Sequence, residues 1–188
     1  MELVVFDMDG TIIEFNLPIE EIKRKIGVQR RILEEILKSE RREELLKTLE
    51  SYEIEAAKNS KLYPHFKDFL SFLEENYVVT ALYTRNSRKS VEIVLEKHDL
   101  SFDYVFTREK DIKPSPKPIV KLMEKKGLKR EDAVMIGDFY FDYLTAKNCG
   151  IPFWMVLNSR NEIFLKEYEI KPDLIFRNYR ELLSSLKL

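Results

Sequence analysis

Short apolar runs, each closing on polar, Gly or Pro residues, recur along the chain at residues 3–6, 78–83, 104–106, 133–136, 153–157 and 174–176. Continuous runs of this kind, rich in β-branched and aromatic residues, predict strands buried on both faces, as parallel strands are. Between the runs the spacing changes. Phe66, Phe69, Leu70 and Leu73 stand at i, i+3, i+4 and i+7, the apolar stripe of an amphipathic helix. Val91, Val94 and Leu95 repeat the stripe after Ser87, a predicted N-cap. Ile119, Val120, Leu122 and Met123 form another helical face that Gly127 ends, and Gly150 closes a helix over residues 142–149. Strands alternating with helices predict an α/β fold with a doubly wound parallel sheet.

Residues 20–61 break the alternation. They contain no strand-like run, and 21 of the 42 are charged, 11 positive and 10 negative. Ile22 with Ile26, then Ile32, Ile36 and Leu37, then Leu45, Leu46, Leu49 and Tyr52 lay narrow apolar stripes along these charged segments, which predicts a small helical bundle. The expected organisation is an α/β core from residues 1–15 and 62–188, with 16–61 inserted as an all-helical unit. Its charges read as solvated faces.

Composition narrows the partners. Lys and Arg number 32 against 33 Asp and Glu, so neither nucleic-acid binding led by bulk basicity nor a polybasic membrane surface is expected. No run approaches the roughly 18–20 apolar residues of a membrane span. The acidic residues interrupting the first apolar run argue against a signal peptide. Cys149 is the only cysteine, which excludes an intramolecular disulfide and a CxxC metal knuckle. A cytoplasmic protein is expected, and the single Gln beside many Lys and Glu points to heat adaptation.

Ligands of an open parallel sheet bind beyond the carboxyl ends of its strands. The first predicted strand delivers Asp7, Asp9, Gly10 and Thr11; the second delivers Thr84, Arg85 and Asn86; Lys113 sits in Lys-Pro-Ser-Pro-Lys-Pro; and the fourth delivers Gly137, Asp138 and, four residues on, Asp142. Carboxylates converging on one sheet edge repel, and a lysine and a divalent cation relieve the repulsion. A donor set of hard oxygens, poor in His and Cys, favours Mg²⁺ over zinc. Singly, each piece has an ordinary reading: a turn for Asp-x-Asp-Gly, a helix cap for Thr84, a strand exit for Gly137-Asp138, a rigid connection for the proline-rich segment.

As an ordered set, Asp7-Met-Asp-Gly-Thr11, Thr84, Lys113 in Lys-Pro-x-Pro, and Gly137-Asp138-x-x-x-Asp142 resemble the four motifs of the haloacid dehalogenase superfamily of phosphohydrolases. The helical insertion falls where the branch with a small helical cap, similar to phosphoglycolate phosphatases, carries that cap. The resemblance runs from Val4 to about Val156. It implies a Rossmann-like core and a Mg²⁺-dependent phosphatase acting on a small phosphorylated metabolite through an aspartyl-phosphate. In that scheme Asp7 is the nucleophile and Asp9 the general acid and base. Asp7, the Asp9 carbonyl and Asp138 hold Mg²⁺. Gly10, Thr11, Thr84, Arg85, Asn86 and Lys113 contact the phosphoryl group or substrate, and Asp142 orients Lys113 or a metal-bound water.

The same motifs serve a phosphosugar mutase, in which the aspartyl-phosphate passes to another hydroxyl, and a catalytically silent binding protein is a third reading. Lys110 and Lys117 flank Lys113, and only the Lys-Pro-x-Pro context selects the middle one. Arg85 binds a second anionic group of the substrate or pairs with a glutamate of the insertion. Phe139-Tyr140-Phe141 reads as a packing turn more than a stacking platform. His65 reads as a capping or surface residue, His98 as a partner of a helix dipole, and Cys149 and Trp154 as core. Substrate identity and the choice between monomer and homodimer are open at this stage.

Overall fold

Leu3–Phe6 carry no polar side chain, and as strand β1 all four are buried completely. Such a strand needs cover on both faces and partners on both edges, which a central position supplies. The computed structural model, which describes residues 1–186, places β1 inside a six-stranded sheet between β2 (Val79–Tyr83) and β4 (Ala133–Gly137). Beyond these lie β3 (Tyr104–Phe106) on one side and β5 (Phe153–Val156) and β6 (Leu174–Phe176) on the other. The order is β3-β2-β1-β4-β5-β6 and every pair is parallel, the predicted α/β class.

Alternate side chains of the sheet feed two cores. Leu3, Val5, Ala81, Tyr83 and Met135 pack with Ile119 and Leu122 of α6 (Lys117–Lys126) and with Ala146 and Cys149 of α7 (Tyr140–Cys149). On the opposite face Phe6 meets Phe66 of α4 (Phe66–Glu75) edge-on, ring centres 5.4 Å apart, and Tyr179 of α9 (Tyr179–Leu186) stacks on Phe69 at 5.3 Å. Each large side chain buried this fully contributes roughly 1.5–3 kcal/mol through removal from water. Helix α9 and the short α8 (Glu162–Glu167) are additions to the elements expected from the sequence.

The chain divides into two compact units. Met1–Phe15, Lys61–Arg85 and Ser101–Leu188 form the first, and Asn16–Ser60 with Asn86–Leu100 form the second. The second unit contains α1 (Ile19–Ile26), α2 (Ile32–Lys38), α3 (Arg42–Lys58) and α5 (Arg88–His98). Its range therefore includes a helix that the sequence pattern groups with the sheet. Helix α5 begins at the predicted cap, where Ser87 Oγ accepts from Ser90 N at 3.3 Å. Lys97 ties it to the end of α3 by donating to the carbonyls of Lys58 and Ser60, at 2.6 and 2.8 Å, and His98 Nε2 lies 2.8 Å from Ser60 Oγ.

One predicted stripe is corrected. In α2 the buried pair is Leu33 and Ile36, whereas Ile32 is half-buried and Leu37 is 38% exposed. On a helical wheel Ile32 and Leu37 flank that pair, so a two-turn helix that centres Leu33 and Ile36 leaves them at the margins.

Candidate functional site

Strand order reverses between β1 and β4, so the loops leaving their carboxyl ends part and open a crevice. Phe6 and Ile136 are in register, and Asp7 N donates to Ile136 O at 2.9 Å, so Asp7 and Asp138 leave the sheet as neighbours. After Asp7 the chain folds back at once. Met8 O accepts from the amides of Thr11, Ile12 and Ile13 at 3.3, 3.0 and 3.2 Å, while Gly10 N reaches Ile13 O at 2.7 Å.

Two glycines make room for carboxylates. Gly10 has φ +79°, and a Cβ there would stand 2.2 Å from Asp138 Oδ2. A Cβ on Gly137 would stand 2.3 Å from Asp142 Cβ. Asp7, Asp138 and Asp142 thus converge, each offering an oxygen within 4.8 Å of the others'.

Lys113 is the cation among them. It is 2% exposed, whereas Lys110 and Lys117 are exposed, and its Nζ donates to Asp7 Oδ1 and, at 2.6 Å, to Asp142 Oδ1. Burial alone would lower the Lys113 pKa, but Asp142 and Asp7 raise it above the ordinary lysine value and keep the ammonium charged. The remaining Asp142 oxygen, Oδ2, accepts from the amides of Asp138 and Phe139 at 3.2 and 3.1 Å, at the start of α7 where an anion is favoured. Both Asp142 oxygens are therefore engaged in positioning.

Burial followed by repulsion from Asp142 pushes the Asp7 carboxyl up to about 6, against the opposing pull of Lys113. Burial raises Asp138 well above the usual carboxylate range although Arg160 opposes it. A buried carboxylate whose charged form is disfavoured gains from a cation. With Asp142 engaged, Asp7 and Asp138 are the carboxylates suited to hold a hard divalent ion, and the oxygen-only donor set fits one.

The other expected site residues occupy distinct positions. Asp9 is half-buried in the loop after β1, close enough for its charge to act on Asp138. Thr84 is 1% exposed at the end of β2, with its amide on Phe106 O at 3.0 Å. Thr11 is fully buried, and its Oγ1 has no hydrogen-bond partner among the described residues. Arg85 donates to Lys113 O at 2.8 Å and lies 3.9 Å over the Phe141 ring, bracing the lysine segment. Asn86 is buried at the entry to α5, in the second unit.

The Phe139-Tyr140-Phe141 turn packs within the first unit. Phe139 meets Phe164 edge-on at 5.0 Å and Tyr140 stacks on Tyr168 at 4.9 Å. His65 pairs with Asp68 at 3.0 Å on the surface, and burial pushes the Cys149 thiol up to about 12, so it behaves as a small core residue.

The segment after β5 adds residues the motif reading missed. Asn161 is fully buried and donates through Nδ2 to Asp138 O at 3.0 Å and Val156 O at 2.8 Å, tying the ends of β4 and β5 together. Arg160 pairs with Asp138 Oδ2 and lies 3.8 Å over the ring of Phe15. Inspecting the exit of every strand, β5 included, would have found both.

A doubly wound parallel sheet with a buried Asp-Lys-Asp cluster at its switch point is the architecture of an α/β enzyme that handles anionic substrates. The profile of the haloacid dehalogenase-like hydrolases matches residues 14–156, and the chain belongs to that family. It is 27% identical to pyrophosphatase PpaX of Halalkalibacterium halodurans over 96% of this chain and 94% of the relative. It is 26% identical to a phosphoglycolate phosphatase of Aquifex aeolicus over 80% of this chain and 82% of that protein. The crystal structure of a HAD phosphatase from Thermococcus onnurineus superposes with a TM-score of 0.71 at 25% identity, covering 99% of this chain and 98% of the other.

Proposed function

We propose that the protein is a Mg²⁺-dependent phosphatase that hydrolyses a small phosphorylated metabolite through an aspartyl-phosphate on Asp7. The observation that carries this reading is the placement of Asp7 at the tip of the central strand, bonded to a buried lysine and flanked by Asp138. Family membership and relatives named as phosphatases and pyrophosphatases support the same reaction class.

In the first step an Asp7 carboxylate oxygen attacks phosphorus and the ester P–O bond breaks, with Asp9 delivering its proton to the leaving oxygen. In the second, water attacks phosphorus, its proton passes to Asp9, and the bond between phosphorus and Asp7 breaks to release inorganic phosphate. Lys113 neutralises Asp7 and the phosphoryl oxygens, a charge arrangement worth most where water is excluded. Thr84 and the Thr11 hydroxyl, beside the turn at Gly10, complete the phosphoryl contacts, while Arg85 acts by bracing the Lys113 segment. Asp142 acts through Lys113 and through the Asp138 amide, holding both in position. Asp7, the Asp9 carbonyl and Asp138 would hold Mg²⁺, which supplies charge neutralisation that lets two anions meet.

In this reading the inserted helices of residues 16–61 are the cap that selects the leaving group, and the cytoplasm is the compartment we assign. Among the described residues no helix is long and apolar enough to cross a membrane. The test is phosphate release from pyrophosphate, phosphoglycolate and sugar phosphates, with Mg²⁺ and with chelator, for wild type and Asp7→Asn. Turnover that requires Mg²⁺ and vanishes in Asp7→Asn is expected. Absence of turnover from every substrate would remove the hydrolase reading and turn attention to phosphoryl transfer between sugar hydroxyls.

A further inference from the structure

Arg160 has a fixed base and a side chain that reaches Asp138. Its amide donates to Asn158 Oδ1 at 2.9 Å, Asn158 N donates to Asn161 Oδ1 at 2.8 Å, and Asn161 anchors the turn to Asp138 O and Val156 O. The side chain, 37% exposed, crosses the Phe15 ring face and ends on Asp138 Oδ2. That same oxygen is the one packed against Gly10, facing the loop that carries Asp7 and Asp9.

Charge balance decides what such an arginine does. With Asp7, Asp138 and Asp142 ionised and Lys113 protonated, the cluster keeps two negative charges. One divalent cation cancels both. Asp9 adds its charge nearby, so the arginine and the ion do not overfill the site as a whole; brought to the same Asp138 carboxylate, however, the two cations repel each other at short range. The half-buried Phe15 ring beneath the guanidinium helps hold it in the pose that reaches Asp138.

We propose that Arg160 is a tethered counter-ion that occupies Asp138 in the metal-free protein, competes with the divalent cation, and withdraws when the cation binds. This rests on Asp138 being a metal ligand. Its role is distinct from catalysis: Arg160 sets the affinity for the ion and keeps Asp138 charge-paired without it.

Calorimetric titration of Mg²⁺ into wild type, Arg160→Gln, Phe15→Leu and Asp138→Asn, with thermal unfolding in chelator and at saturating Mg²⁺, tests the idea. Arg160→Gln is expected to bind Mg²⁺ about tenfold more tightly than wild type, because the competitor is gone. It should also unfold earlier in chelator and recover at saturating Mg²⁺. Phe15→Leu, which keeps the charge but removes the ring, is expected to weaken the hold on Asp138 and shift affinity the same way by less. Equal or weaker binding by Arg160→Gln, with wild-type binding abolished in Asp138→Asn, would overturn the counter-ion role and leave the metal site standing. No binding by wild type, Arg160→Gln or Phe15→Leu would overturn the metal site and this proposal with it. Should Arg160→Gln fail to fold, Phe15→Leu decides.

Discussion

The carboxyl edge of the sheet and the helical segment 19–58 are both dense in charge, yet they dispose of it in opposite ways. In the helices, Glu20–Lys23, Arg41–Glu44 and Glu55–Lys58 pair at i, i+3, with the last two pairs more than half exposed. At the sheet edge, Lys113 meets Asp7 across 106 positions of sequence, and Lys113 and Asp142 are 2% and 3% exposed. Local pairs in water contribute little, because solvent already stabilises both partners. Buried pairs assembled by topology are costly to desolvate and costly to break, and folds retain them where chemistry requires charge.

The sharpest way to break this contrast is at the nucleophile. Asp7→Asn is expected to lower kcat by at least about 10⁴-fold, in line with loss of a covalent nucleophile, and steady-state phosphate release measures it. Lys113→Met comes next. It should lower kcat by about 10²- to 10³-fold and destabilise the fold by roughly 3–5 kcal/mol, since it leaves Asp7 and Asp142 buried together without a cation. Urea unfolding of the metal-free protein reads the second effect, and a change below 1 kcal/mol would place the pair among inconsequential ones.

A smaller effect separates stability from activity. The Asp7 carboxyl titrates at about 6 in the folded chain against an unfolded value near 3.8. The folded state thus holds more protons across that window, and its stability falls as pH rises from about 4 to about 6. Asp7→Asn has no such carboxyl. In chelator its stability relative to wild type should rise between pH 4 and pH 7 by on the order of 2 kcal/mol, the linkage equivalent of a two-unit shift. Urea unfolding of both proteins at the two pH values measures it, and a constant difference would mean that Asp7 is ordinary. At the far end, Glu55→Gln on α3 should shift the thermal midpoint by less than about 1 °C.

Much of this was legible in the chain. The six apolar runs became the six strands, completely buried in β1 and less so at the sheet edges in β3 and β6, and Ser87 capped the helix it was expected to cap. Lys113 was singled out from Lys110 and Lys117 by proline context, and burial separates the three in the same way. What escaped is as physical. The α2 face depends on which of four adjacent apolar positions its neighbours accept, and spacing alone cannot rank them. Helix α5 carries a stripe that suits a sheet or another helix equally, and it joins the second unit. Arg160 and Asn161 lie in a polar stretch without periodicity, and only the adjacency of β4 and β5 gives them meaning.

The position of β1 has a consequence for synthesis on the ribosome. Its four residues are made before those of the other five strands, and both of its edges are completed by strands that begin at Val79 and Ala133. At about 5–20 residues per second, the 76 positions between Leu3 and its first partner Val79 correspond to roughly 4–15 seconds of elongation. Through that interval the nascent chain exposes its most apolar strand with neither partner available, so this segment is the natural handle for a chaperone on the emerging chain.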